Sequence, residues 1–347
     1  MSQRSPLVAH LVGSVPLSNA EEVFRRVGGA LAGEIKRLPD GETGRRNNWI
    51  GFVRRALSHN KAFETAKDLP PFRFTLHDGT FVREWPLLRF VPGVDPARVE
   101  FETGYADDAI ASFSLFDRLQ RDGIIPAGVK YQICAATPLA IGYMYFAAVD
   151  YADFARAYAE HLAGEIAAVA AQLPMDRIAW QWDVCQEVLM AEGYFPQTSN
   201  WRDQVTQSLA VCGAIVPEPI ELGYHFCYGS PQDKHCILPQ DLGKVVDMTN
   251  AVLARVPRSV QYVHYPVLKE RNDAAYFAPL ARLALKPETE LYLGCVHPGD
   301  EAGNAGKLAA ASAVAPIAGI GSECGWGRGD PKQLDAILAA HKALIEA

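Results

Sequence analysis

The chain has 347 residues, 49% hydrophobic and 21% charged, and a net charge of −7. This composition is ordinary for a globular protein with a large core, and the negative charge argues against nucleic acid or an anionic membrane as the main partner. No apolar run approaches the roughly 18 residues of a membrane span, and the N-terminal stretch is short and polar, so we expect a cytoplasmic protein. Seven cysteines without close spacing do not indicate a secreted disulfide scaffold.

Along most of the chain, β-rich runs alternate with helical patterns, which is typical of βα units around a parallel sheet. The runs that predict strands are residues 7–12, 34–38, 129–134, 177–182, 220–226, 259–263, 290–295 and 316–321. Ser18 is the predicted N-cap of the first helix. The later helical patterns are residues 107–121, 151–172, 202–211, 241–255, 274–285, 302–314 and 331–346. Eight units without a glycine-rich dinucleotide fingerprint predict an α/β fold of the (β/α)8 TIM barrel type, with residues 1–347 as a single domain.

The alternation breaks between residues 49 and 105. Pro70-Pro71 and Trp85-Pro86 interrupt short aromatic and β-branched runs there, and no long helix is predicted between them. We interpret this stretch as an insertion after the second strand, a hairpin excursion from the barrel, rather than as a second domain. At roughly 55 residues it is close to the size at which a small core forms by itself.

The ends of the predicted strands are the first place to look for a site, because TIM-barrel active sites lie at the C-terminal ends of the strands. Each of these ends carries a polar or metal-binding residue. They are His10 and Ser14, Asp40 and Glu42, Gln132 and Thr137, Gln181 and Asp183, His225 and Cys227, His264, His297, and Glu323 with Cys324. Strand ends are generally more polar than strand middles, which explains single members of this set better than the whole set.

Three of these residues form a metal-ligand pattern. Alternation along a strand directs His225 and Cys227 to the same face, while Phe226 packs the other way. Imidazole and thiolate are zinc ligands, and Cys324 completes the site if the fold brings it there. The remaining cysteines are interpreted as small buried hydrophobes or free thiols; they are Cys134, Cys185, Cys212, Cys236 and Cys295.

The order of the motifs resembles that of the catalytic barrel of cobalamin-independent methionine synthase and its wider superfamily of zinc methyltransferases. The likeness covers about residues 7–330, with no counterpart of the duplicated N-terminal half of the full-length synthase. It implies a zinc ion held by His225, Cys227 and Cys324. The family's glutamate ligand on the sixth strand has no match, and His264 is the candidate for that position.

The resemblance also implies a set of substrate-binding residues. The family's Gly-Ser-x-Pro motif, where a substrate amino acid docks, matches Gly13 and Ser14, and its second-strand carboxylate, which holds an amino group, matches Glu42. Gln181 matches the first residue of its fourth-strand Gln-x-Asp motif. His10, at the end of the first strand, is included with them, although a structural role is the alternative.

Two residues are expected to act in catalysis. His297 matches the family's proton donor, and Asp183 is expected to hold an ammonium or hydroxyl group of the substrate, with N-capping or a salt bridge at the rim as the alternative. Arg328 is predicted either to meet an anionic substrate group from a mobile lid or to lie in a plain turn.

The function implied is zinc-dependent transfer of a methyl or alkyl group between a small-molecule donor and a thiol that is activated as a zinc-bound thiolate. The family's folate-stacking tryptophan falls near Met144, so a folate donor and homocysteine as acceptor both stay open. Two other interpretations are a metal-free barrel enzyme of the uroporphyrinogen-decarboxylase type and a non-catalytic barrel that binds a small thiol or pterin.

Overall fold

The computed structural model describes residues 6–231 and 234–347, so residues 1–5 of the polar N-terminal stretch lie outside it. Within these ranges, eight parallel strands form one sheet. Numbered β1 to β8 in chain order, they are Val8–His10, Arg37–Pro39, Lys130–Ala136, Ile178–Val184, Glu221–Phe226, Tyr262–Pro266, Glu290–Gly294 and Gly319–Gly321. Their order in the sheet is β1-β8-β7-β6-β5-β4-β3-β2.

The sheet nearly closes on itself between its first and last strands. Ala9 of β1 forms a parallel bridge with Ile35, just before β2, and its amide donates to the Glu34 carbonyl at 2.6 Å. Closure with parallel strands and interleaved helices confirms the predicted (β/α)8 TIM barrel.

The helices, α1 to α11, are Ala20–Ala30, Gly51–His59, Tyr105–Arg121, Pro138–Tyr145, Tyr151–Gln172, Gln186–Ala191, Trp201–Ala214, Gly243–Leu253, Ala274–Phe277, Glu301–Ser312 and Leu334–Glu346. The predicted cap of α1 is wrong by one residue. Asn19, not Ser18, is the N-cap, because the Asn19 side chain accepts a hydrogen bond from the amide of Glu22 at 2.9 Å. None of the helices in the described part of the chain is long and apolar enough to cross a membrane.

The sixth strand begins later than the predicted 259–263. Just before it, the guanidinium of Arg258 donates to four backbone carbonyls in residues 216–220 and so ties its own segment to the turn before β5. With this later start, His264 is the middle residue of β6, where it pairs in register with His225, rather than a residue beyond the end of the strand.

Between β2 and β3 the chain forms two antiparallel strand pairs. They are Phe63–Thr65 with Leu88–Phe90, and Phe72–Thr75 with Phe81–Trp85, the second of which we call the rim hairpin. Trp85 of this hairpin packs against Tyr145 of α4, with 5.6 Å between ring centroids, and its Nε1 donates to the Met144 carbonyl at 2.6 Å. These contacts hold the hairpin against α4, which directly follows the C-terminal end of β3. The sequence patterns do not predict α2, the nine-residue helix before these pairs.

Aromatic rings fill the interior of the barrel. A Cβ at Gly223 of β5 would lie 2.0 Å from the ring of Tyr262, so only glycine leaves room for that ring. The ring of His10 lies 5.0 Å, centroid to centroid, from the rings of both Tyr262 and Tyr292. The barrel below the strand ends is therefore a packed core.

Strand β4 shows the predicted alternation. Trp180 and Trp182 are fully buried, and Trp182 Nε1 donates to the carbonyl of Cys212 on α7 at 2.9 Å, so this face packs on the helices. Gln181 and Asp183 occupy the opposite face, inside the barrel, where they are hydrogen-bonded to each other.

Candidate metal centre and active-site cavity

A cavity of about 620 Å³ opens at the C-terminal ends of the barrel strands. Its strand-end polar lining consists of Ser14, Glu42, Asp183, His225, Cys227 and Cys324. Side chains of α2, α4 and the rim hairpin form the opposite wall, so the stretch predicted as an insertion contributes directly to the cavity.

His225, Cys227 and Cys324 meet at this cavity, and we call them the donor trio. Their ligand atoms lie within 4.8 Å of one another, and the two sulfur atoms are 3.6 Å apart. His225 is the fifth residue of β5 and Cys227 follows its end, so alternation directs both inward, while Cys324 follows β8 three strands away around the barrel. One imidazole and two thiols, brought together from distant parts of the chain, are a donor set that suits zinc.

The pKa values of the two thiols of the trio are shifted in opposite directions. The hydrogen bond with Cys227, and then the positive charge of Arg328, hold the pKa of Cys324 well below its ordinary value against the opposing effect of burial. Hydrogen bonds with Cys185 and Cys324, followed by burial, raise the pKa of Cys227 well above its ordinary value. Arg328 donates to the sulfur of Cys324 at 3.1 Å and to the hydroxyl of Ser230 at 2.7 Å. The charge of Arg328 therefore favours the thiolate form of Cys324.

His264 lies behind the donor trio rather than among its ligand atoms. Its Nδ1 is 2.8 Å from Nδ1 of His225, and the two rings are tilted with centroids 4.9 Å apart. Burial, and then the charge of His225, lower the pKa of His264 well below its ordinary value, so its ring is neutral near pH 7. The contact at Nδ1 leaves Nε2 of His225 for the sulfur atoms, and this buried Nε2 makes no regular hydrogen bond in the described part of the chain.

Glu42 and Asp183 form a buried carboxyl pair beside the trio. Burial, and then the charge of Asp183, raise the pKa of Glu42, and burial likewise raises the pKa of Asp183. Asp183 accepts hydrogen bonds from Gln181 at 2.9 Å and from Trp49 Nε1 at 3.3 Å. A Cβ at Gly13 would lie 3.1 Å from Glu42 Oε1, so the glycine leaves room for that carboxyl. The pair favours either a shared proton or a bound cation.

The backbone of the loop after β2 fixes the direction of Glu42. This residue has a φ of 48°, in the left-handed region, and its amide donates to the carboxylate of Asp40 at 3.0 Å. Asp40 is in turn ion-paired with Arg46, whose charge helps to keep the pKa of Asp40 below its ordinary value despite burial. The cost of the uncommon backbone conformation is offset by these buried bonds.

Four of the predicted site residues do not line the cavity, namely His264, described above, and His10, Gln181 and His297. His10 Nε2 is hydrogen-bonded to Gln181 at 3.0 Å, and Gln181 donates to the carbonyl of Val12 at 2.6 Å, so both lie beneath the cavity and support Asp183. His297 has its Nε2 3.1 Å from the carbonyl oxygen of Val267, and burial lowers its pKa. Its predicted role as a proton donor stays a prediction.

Ser14 lines the cavity and also holds the loop that carries Cys324. Its hydroxyl accepts a hydrogen bond from the amide of Gly327 at 3.2 Å, and its carbonyl accepts one from the amide of Trp326 at 2.7 Å. A Cβ at Gly325 would lie 2.3 Å from the Ser14 oxygen, so this close approach requires glycine. The predicted substrate-docking motif therefore also anchors the third donor.

Other lining residues were not predicted from sequence. Trp49 comes from the loop before α2, Arg54 from α2 and Arg83 from the rim hairpin. Nothing in their local sequence indicates a role in a site. Cys185, interpreted from sequence as a small buried hydrophobe or a free thiol, also lines the cavity. One signal was present for it, because Cys185 comes two residues after Asp183, just beyond β4, as Cys227 comes two residues after His225, just beyond β5.

The fold and site together define a TIM barrel with a His/Cys/Cys donor group in the cavity at its strand ends. No protein-family model matches the chain, and no curated protein matches it. Among solved structures the chain is similar to one from Listeria monocytogenes, described as a "Putative Vitamin-B12 Independent Methionine Synthase". That likeness has a TM-score of 0.59 and 13% identity over 99% of both chains, and it shows a shared fold.

Proposed function

We propose that this protein is a zinc-dependent transferase that moves a methyl or other alkyl group to or from a small-molecule thiol. The observation that supports the proposal most strongly is the donor trio, His225, Cys227 and Cys324, at the wall of a cavity large enough for a small substrate. The name of the Listeria protein with the same fold is consistent with this class of reaction.

The donor set fits a zinc ion, because it offers one nitrogen and two sulfur atoms close together in a buried place, and among the described residues the Nε2 of His225 has no regular hydrogen-bond partner. When bound, zinc would supply the means to keep a substrate thiol ionised at neutral pH, where a free thiol is only a few per cent thiolate. Arg328 would hold Cys324 as the thiolate, and His264 would keep Nε2 of His225 directed at the ligand position.

The carboxyl pair would bind the other end of the thiol substrate. Glu42 and Asp183 have raised pKa values because each is buried, and the charge of one opposes ionisation of the other. An ammonium group between them would relieve that repulsion, so a thiol that carries an amino group is the acceptor that the pair favours. Arg54, which is half-buried, and Arg83, which is exposed, also line the cavity and suit an anionic group of the second substrate.

Two measurements test this proposal. Protein purified without added metal is expected to contain about one zinc per chain, which Cys227→Ser should remove and Cys212→Ala, a buried thiol outside the cavity, should retain. A screen of aminothiols with methyl donors, read by mass spectrometry, is expected to give a methylated thiol. Folded, reduced protein without metal would refute the metal half of the proposal, and saturable thiol binding without any product would favour the non-catalytic binding barrel.

A further inference from the structure

Cys185 lies beside Cys227 at the ends of two neighbouring strands. In the parallel pairing of β4 and β5, Asp183 is opposite His225 and Val184 is opposite Phe226. The amide of Cys227 continues this ladder by donating to the Val184 carbonyl at 3.0 Å. The next step of the register places Cys185 next to Cys227, and alternation directs both thiols to the side that Asp183 and His225 face.

The side chain of Cys185 has the contacts expected of a residue of the site. It is 4% exposed and lines the same cavity as the donor trio. Its thiol is near enough to that of Cys227 to help raise the pKa of Cys227, whose sulfur in turn lies 3.6 Å from that of Cys324. The cavity therefore contains a row of three thiols with Cys227 in the middle. The group of ligand atoms that lie within 4.8 Å of one another contains His225, Cys227 and Cys324 but not Cys185. The side chain of Cys185 must therefore rotate to bring its sulfur to an ion held by the trio.

Two other side chains near the trio already use the atoms that face it in hydrogen bonds. His264 uses Nδ1 on His225, and the two carboxylate oxygens of Asp183 accept from Gln181 and Trp49. A tetrahedral ion held by the trio would need one more donor, and the thiol of Cys185 is a soft donor directly beside it.

We infer that Cys185 is a third sulfur ligand of the metal centre, which fills the fourth position when no substrate is bound. This inference rests on the proposed function, since it requires a metal at the donor trio. The substrate thiol then competes with Cys185 for that position. On exchange, the bond from the metal to Cys185 breaks, the bond to the substrate sulfur forms, and Cys185 takes the proton that the substrate thiol loses. No electron is transferred, and the net charge of the site does not change.

Cobalt(II) substitution counts the thiolate ligands directly, because each one adds to the sulfur-to-cobalt charge-transfer absorption. Cys185→Ala is expected to bind one cobalt per chain, as the wild type does, but to lose about one third of this absorption, since three thiolates become two. Cys212→Ala is the control and should keep the full intensity. Equal intensity in Cys185→Ala and the wild type would overturn the assignment while leaving the proposed function intact. A wild type that binds neither cobalt nor zinc would refute the proposed function and this inference together.

A second measurement uses only wild-type protein, so it does not depend on the folding of a variant. Alkylation by iodoacetamide, mapped by mass spectrometry with and without zinc, reports which thiols the metal protects. Cys185 is expected to be protected by zinc together with Cys227 and Cys324. Equal alkylation of Cys185 in the apo and zinc-loaded proteins, alongside protection of the other two, would overturn the inference.

Discussion

His264 either orients His225 through the contact between their rings or is itself a metal ligand, as predicted from sequence. Substitution of His264 distinguishes these two roles. The two Nδ1 atoms lie 2.8 Å apart and both rings are fully or almost fully buried, so water cannot replace either partner. His264→Leu removes the partner and retains an apolar side chain. His264→Asn places an amide close to the position of Nδ1 and is the conservative control.

The expected magnitude follows from the geometry. Partners that orient a metal-bound histidine typically contribute about 10-fold to 100-fold to metal affinity, which corresponds to about 1.4 to 2.8 kcal/mol. We therefore expect His264→Leu to weaken zinc binding within that range and His264→Asn to restore most of it, as measured by competition with a chromophoric chelator. His225→Ala, which removes a donor, should weaken binding much more than His264→Leu.

Two results would contradict this reasoning. Zinc affinity that is unchanged in His264→Leu would show that the contact does not orient His225. A loss as large as that in His225→Ala, without rescue by asparagine, would show that His264 is itself a ligand, as the resemblance suggested.

Three further predictions concern stability and thiol reactivity. Burial lowers the pKa of His341 to about 4, so between about pH 6.5 and pH 4 the unfolded chain binds one proton more than the folded protein, and stability falls as the pH falls. His341→Gln should remove up to about 3 kcal/mol of this pH dependence, measured by urea unfolding at a series of pH values, and an unchanged slope of stability against pH would refute the prediction. Arg328→Gln should slow the alkylation of Cys324 roughly tenfold in the apo protein at neutral pH, because the variant loses a charge-assisted hydrogen bond that favours the thiolate of Cys324. An unchanged alkylation rate would refute this prediction. Gly223→Ala should lower the free energy of unfolding by at least about 1 to 3 kcal/mol, because the added Cβ meets the ring of Tyr262, whereas the control Gly164→Ala in α5, where the space is open, should be neutral or stabilising. Equal urea midpoints for the two variants would contradict this prediction.

The architecture was largely predictable because it follows from local patterns. Alternating β-rich and helical segments predict the barrel, and the bounds of α5 coincide with the predicted helix. The inward direction of His225 and Cys227 follows from the two-residue period of a strand. Their meeting with Cys324 did not follow from spacing alone, since it depends on closure of the sheet.

The depth of a residue in the barrel was not predictable from the sequence. Residues 259–263 have the composition of a strand, but β6 begins only at Tyr262, so His264 lies within the strand rather than beyond its end. The left-handed conformation of Glu42 and the packing of Trp85 on α4 are set by tertiary contacts. The wall of the cavity opposite the donor trio was therefore missed.

On the proposed function, a metal held by the donor trio binds and activates a substrate thiol. Zinc X-ray absorption of the holo protein with a small aminoselenol tests it most directly, because selenium replaces the substrate sulfur and is distinguishable from every cysteine. We expect a zinc–selenium shell that appears on addition of the selenol and is absent from Cys227→Ser. A zinc-loaded protein that binds the selenol without any zinc–selenium contact would contradict the account.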